Sequence, residues 1–75
     1  MEVNGYMIEP GADLTGADLT SATLTDATLT DANLTGANFT NADLTGANLT
    51  NAIFSDTTIC PDGRTHAEFP RCGFP

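Results

Sequence analysis

The sequence predicts an all-β coil, a solenoid whose wall is one five-residue unit repeated along most of the chain. Three observations lead there. From Ala12 to Asp56 the chain runs through nine consecutive units of Ala, a small or polar residue, Leu or Phe, Thr or Ser, then Gly, Asn, Asp or Ser. Large apolar residues therefore recur at Leu14, Leu19, Leu24, Leu29, Leu34, Phe39, Leu44, Leu49 and Phe54, each two places after an alanine. The last place of each unit holds residue types that tolerate turn dihedrals, at Gly16, Ser21, Asp26, Asp31, Gly36, Asn41, Gly46 and Asn51.

Each unit is extended, with a corner at its end. A helix turns about 100° per residue, so a five-residue step advances roughly 140° and spirals the leucines around the cylinder. In a straight strand, Ala and Leu of one unit share a side, but the next Ala lies three residues further on, on the opposite side. Every Ala and Leu can face one axis only if the chain bends once per unit in a constant sense. Ile59 is expected to continue the apolar series, with Thr57 in the alanine slot.

The motif A-[D/N]-L-x-x, written here as Ala12-Asp13-Leu14-Thr15-Gly16 and Ala37-Asn38-Phe39-Thr40-Asn41, resembles the pentapeptide-repeat family over roughly two thirds of the chain. That resemblance implies a right-handed quadrilateral β-helix with four units per turn, here about two and a half coils capped at both ends. Residues twenty apart then stack at about the ~4.8 Å of β pairing. Thr15 is expected over Thr35 and Ser55, Thr20 over Thr40, Thr25 over Thr45 and Thr30 over Thr50, as hydroxyl ladders between turns. Among the acids, Asp13 meets Asn33, Asp18 meets Asn38, Asp43 meets Thr23, Asp26 meets Gly46, Asp31 meets Asn51 and Asp56 meets Gly36, so no two aspartates stack.

The chain divides into an N-terminal cap over residues 1–11, the repeat over 12–59 and a C-terminal cap over 60–75, all in one domain. Tyr6-Met7-Ile8, before Pro10-Gly11, is expected to lie across the first turn as a lid. Terminal turns of a solenoid are open edges that need covering and otherwise invite other chains, end-to-end self-association included. At the far end, Cys60-Pro61-Asp62-Gly63 fits a type I turn, and Phe69, Pro70, Phe74 and Pro75 supply apolar cover. An even cysteine pair in a small chain favours a Cys60–Cys72 disulfide. Two alternatives stay open: free thiols, or a metal set of Cys60, His66 and Cys72 with Asp62 or Glu68. Structural zinc sites use closely spaced ligand pairs, which this chain lacks. Family members with a similar CPDG-like ending and a later cysteine point the same way, to a disulfide-closed cap.

Ten acids oppose two arginines, with no lysine, for a net charge of −8. That balance disfavours direct nucleic-acid binding and anionic membranes, and no apolar run approaches the ~18 residues of a membrane-spanning helix. Met1-Glu2-Val3-Asn4-Gly5 carries no signal-peptide pattern, so compartment stays open, with the cysteine pair leaning extracytoplasmic. One histidine, one tyrosine and no lysine give catalysis little to build on, and no cofactor or metal is expected. The expected role is a non-enzymatic structural or protein-interaction scaffold with an unidentified protein partner. Asp13, Asp18, Asp26, Asp31, Asp43 and Asp56 form its candidate acidic interaction surface. The resemblance also implies an alternative, an acidic DNA mimic that modulates a type II topoisomerase such as gyrase. Against it, the family's mimics are longer and carry continuous acidic stripes. Two minor readings carry little weight: ice binding through the T-x-T segments at Thr23-Leu24-Thr25 and Thr28-Leu29-Thr30, and glycan attachment at the N-x-[ST] matches of Asn33, Asn38 and Asn48, which such a repeat generates automatically.

Overall fold

The computed structural model describes residues 1–63 of the chain. It begins with a small antiparallel hairpin of β1 (Glu2–Val3) and β2 (Tyr6–Met7), in which Glu2 pairs with Met7 and Val3 with Tyr6. Asn4 and Gly5 join the strands with φ of 53° and 86°. Positive φ at both central residues is the type I′ turn that Asn-Gly favours, because its twist matches that of the strands. The expected Tyr6–Ile8 lid is therefore half of a hairpin. Its Val3 and Tyr6 pack against the core and Ile8 is buried.

Beyond the hairpin the wall is made of single parallel bridges. Asp13 pairs with Asn33, Asp18 with Asn38, Thr23 with Asp43, Thr28 with Asn48 and Asn33 with Ile53, twenty residues apart in each case. The bonding repeats with the same step: Leu14 N–H donates to Asn33 O at 2.8 Å, and Asn33 N–H donates to Ala12 O at 2.9 Å. At each corner the alanine N–H reaches back to the preceding leucine carbonyl, as from Ala17 to Leu14 at 3.0 Å. The corner residue takes positive φ at Gly11, Gly16, Ser21, Asp26, Asp31, Gly36, Asn41, Gly46 and Asn51. A four-residue turn with positive φ only at its third place is type II.

Those corners aim one Ala and one Leu or Phe per unit at a common interior. Leu19, Leu24, Leu29, Leu34 and Phe39 have no exposed surface, Leu14 and Leu44 are buried, and Leu49 and Phe54 are half-buried near the far end. Ser21 is the one corner residue that is neither Gly, Asn nor Asp, yet it holds φ 58°. Because the left-handed region costs an ordinary L-residue about 1–2 kcal/mol, Ser21→Gly is expected to stabilise the fold. After the greater unfolded-state freedom of glycine is subtracted, the gain should be about 0.5 kcal/mol, read as a higher urea midpoint.

The five-residue step fails once, and two expectations fail with it. Asn38 pairs with Ile59, twenty-one residues on, because the unit that starts at Ala52 holds six residues. Thr58, not Thr57, therefore occupies the alanine slot, and Cys60, not Ile59, points inward; Thr58 and Cys60 have no exposed surface. Ile59 is half-buried and stands in the outward slot that Asp, Asn or Thr fills in most earlier units and Ile53 in the last. The same shift moves Asp56 away from Gly36: a Cβ on Gly36 would meet the Thr57 hydroxyl at 3.5 Å.

Candidate functional site

The outward wall carries the polar chemistry of the chain, and its second and fourth places act together. Where the second place is Asp or Asn, its Oδ1 accepts from the threonine two residues on. The Thr15 N–H and hydroxyl reach Asp13 at 3.2 and 2.6 Å, and those of Thr45 reach Asp43 at 3.1 and 2.7 Å. The neutral versions match them, with hydroxyl distances of 2.6 Å in Asn33–Thr35, Asn38–Thr40 and Asn48–Thr50. This corrects the expected hydroxyl ladders for Thr15, Thr35, Thr40, Thr45 and Thr50, whose hydroxyls bond along their own unit and not to the threonine stacked on them. The reason is distance, since stacked hydroxyls sit about 4.8 Å apart while an O–H···O bond wants about 2.7 Å.

The same clamps hold three carboxyls below their ordinary value of 3.8, for Asp13 through the Thr15 hydroxyl and N–H, for Asp18 through those of Thr20 and for Asp43 through those of Thr45. A donor that favours the charged form lowers the pKa. Stability from a depressed carboxyl is present above the unfolded-state value and is lost as pH falls through the lower folded-state value. Melting temperature is therefore expected to drop between about pH 5 and about pH 2. The triple variant Asp13→Asn, Asp18→Asn, Asp43→Asn keeps the clamps in neutral form and should flatten that drop; parallel curves for the two proteins would contradict the assignment.

The six aspartates of the candidate surface are all exposed, but they do not form one stripe. Asp13 and Asp18 lie on adjacent sides of the first turn and pair with asparagines, while Asp43 pairs with Thr23 a turn away. Asp26 and Asp31 sit at corners with φ of 61° and 64°, and a Cβ on Gly46 would run into the Asp26 carboxylate, which places those two in one column. Asp56 falls in the six-residue unit. Among the described residues no group of three or more His, Cys, Asp and Glu could hold a metal ion. Cys60 is buried in the leucine column. Its expected partner Cys72, with His66 and Glu68 of the alternative metal set, lies outside the described residues.

Two further groups matter that the repeat alone does not reveal. In the first turn, Asp18 N–H has no turn beneath it and donates instead to the Tyr6 hydroxyl at 3.2 Å, while Asn4 Nδ2 donates to Asp18 O at 3.3 Å and Thr20 O at 3.5 Å. The hairpin is thus tied to the backbone of Asp18 and Thr20, and its sequence signal is the Asn-Gly pair between short apolar segments. Thr58 is the second group, a buried hydroxyl that joins Leu34 O at 2.8 Å. No helix among the described residues is long and apolar enough to cross a membrane.

A family model described as pentapeptide repeats matches this chain in eight copies, over residues 10–36 and 17–56. No curated protein and no solved structure matches it.

Proposed function

The chain belongs to the pentapeptide-repeat family, and from that premise we propose that it is a non-enzymatic scaffold whose outward wall binds a protein partner. The family fold supports a right-handed, four-sided β-helix of about two and a half coils. Residues 1–11 would close one end, and residues 60–75, held by a Cys60–Cys72 disulfide, the other. Such a disulfide would suit an oxidising compartment.

One observation carries the reading. The short outward side chains of Asp13, Asn33, Asn38, Asp43 and Asn48 are each fixed by a threonine two residues on. A wall whose polar atoms are held in place before contact loses little side-chain entropy on binding.

The test is binding of the full chain to its native host's proteins, read with wall variants. Thr23→Lys with Thr28→Lys, at two exposed outward places that hold no clamp, should abolish binding to a specific partner while leaving the melting curve in place. Binding that survives wall changes on all four sides would reject the wall as the site.

The alternative is an acidic modulator of a type II topoisomerase, favoured by the net charge of −8 and the readily ionised Asp13, Asp18 and Asp43. It requires salt-sensitive inhibition of gyrase supercoiling. Absence of inhibition at tens of micromolar chain would end it.

A further inference from the structure

We propose that Asn4-Gly5 is a site of spontaneous modification, at which deamidation unlatches the N-terminal hairpin from the first turn of the coil. This goes beyond the scaffold reading and does not depend on it. Asparagine deamidates when the backbone nitrogen of the next residue attacks its side-chain carbonyl carbon, and glycine, with no Cβ, leaves that approach open. Both residues are exposed, and a Cβ on Gly5 would meet nothing within 4 Å. Among the described residues Gly5 N–H donates no hydrogen bond, so the attacking nitrogen is free.

The other asparagines are guarded. Asn33, Asn38, Asn41 and Asn51 are followed by Leu34, Phe39, Ala42 and Ala52, whose N–H groups are already donated to Ile53 O, Ile59 O, Phe39 O and Leu49 O. Asn48 is followed by the branched Leu49, and its Oδ1 is held by Thr50.

The reaction balances with water alone. Gly5 nitrogen, losing its proton to solvent base, bonds to Asn4 Cγ; the Cγ–Nδ2 bond breaks and ammonia leaves, forming a five-membered succinimide. Water then opens the ring at either carbonyl, giving aspartate or isoaspartate at position 4. The consequence follows from what Nδ2 does in the folded chain. It is the donor to Asp18 O and Thr20 O, and a carboxylate there has no proton to donate and faces two carbonyl oxygens instead. Isoaspartate in addition inserts a methylene into the two-residue turn that sets the Val3–Tyr6 register.

The experiment ages the full chain in mildly alkaline buffer and follows the Glu2–Met7 peptide released by cyanogen bromide at Met1 and Met7, together with amide exchange at Asp18. The expected result is a mass gain of about one dalton confined to that peptide, and at least about tenfold faster exchange of Asp18 N–H in step with it. Asn4→Asp should reproduce the aged state, melting about 4–8 °C below the wild type, the shift that loss of about one hydrogen-bonded contact gives in a domain of this size. Asn4→Gly, which keeps the turn and removes both latch and reactive amide, should lose Asp18 protection without ageing further. The proposal is overturned if the amide survives incubation that fully converts the free Glu2–Met7 peptide. It is equally overturned if deamidated chain and Asn4→Asp both keep wild-type melting and Asp18 exchange.

Discussion

A chain carrying Leu34→Asp is expected to show no cooperative unfolding transition at any temperature, because it never reaches the folded state. Leu34 has no exposed surface and lies midway along the coil, where its N–H donates to Ile53 O at 2.7 Å and its carbonyl accepts from Thr58. A carboxylate in its place would be surrounded by Ala, Leu and Phe side chains, with no partner. An unpaired buried charge costs several kcal/mol even after the protein relaxes, and the lost leucine packing adds about 2–5 kcal/mol. Either is comparable with the whole stability of a small domain. The adjacent residue provides the contrast. Thr35→Ala removes one hydroxyl bond of 2.6 Å to Asn33, whose Oδ1 keeps the Thr35 N–H at 3.1 Å, so the expected loss is about 1 kcal/mol or less. Circular dichroism with thermal unfolding checks both, and equal tolerance of the two would mean that the inward and outward assignments are exchanged.

That contrast also marks what a sequence of this kind makes legible. Inward positions and corners are readable because each has one physical requirement. Ala and Leu must leave water together, and the corner must accept positive φ. Leu34 and Asp31 each satisfy one of these and could not satisfy the other. The six-residue unit is not readable in this way. Ser55, Asp56, Thr57 and Thr58 all belong to the repeat's own alphabet, and Ile59 and Cys60 are both apolar, so two frames fit the letters equally well. Burial selects between them, and burial depends on the turn beneath. From the sequence only a Tyr6-Met7-Ile8 lid is expected, and the hairpin that Asn4-Gly5 signals is missed; its latch carries no such signal, since it depends on which backbone groups of Asp18 and Thr20 the first turn leaves open. The outward clamps fall between these cases. Their residues, Asp or Asn followed two places later by Thr, can be read directly, whereas the choice between bonding along the unit and bonding up the column is a matter of ångströms. The partner is not legible at all, because the outward places must only be polar and short to serve the coil.

Thr58→Ala is expected to destabilise the chain by about 2 kcal/mol, although it restores the residue that every earlier unit has in this slot. At a regular corner the N–H of the corner residue passes to a carbonyl on the next turn, as from Gly16 to Thr35 O at 2.8 Å and from Asp26 to Thr45 O at 2.8 Å. At Gly36 the extra residue breaks this pattern, because Ser55 O is taken by Thr58 N–H at 3.1 Å. Gly36 N–H turns instead to hydroxyls, Ser55 Oγ at 3.1 Å and Thr58 Oγ1 at 3.3 Å. The Thr58 hydroxyl also accepts from Ser55 N–H at 3.1 Å and donates to Leu34 O at 2.8 Å, so one buried oxygen stitches the six-residue unit to the turn below. Alanine has nothing to offer Ser55 N–H, and a buried group left unsatisfied costs about 1–3 kcal/mol, while Gly36 N–H keeps Ser55 Oγ and Leu34 O keeps the N–H of Ala37. The melting temperature should fall by about 10 °C, while Thr58→Ser, which keeps the hydroxyl, should lose only the methyl contacts. The decisive comparison deletes Thr57 as well. With the unit back to five residues, a carbonyl can again meet Gly36 N–H, and alanine at this slot should be no worse than in the units before it. If Thr58→Ala melts with the wild type in the undeleted chain, the hydroxyl is idle and the backbone absorbs the insertion unaided.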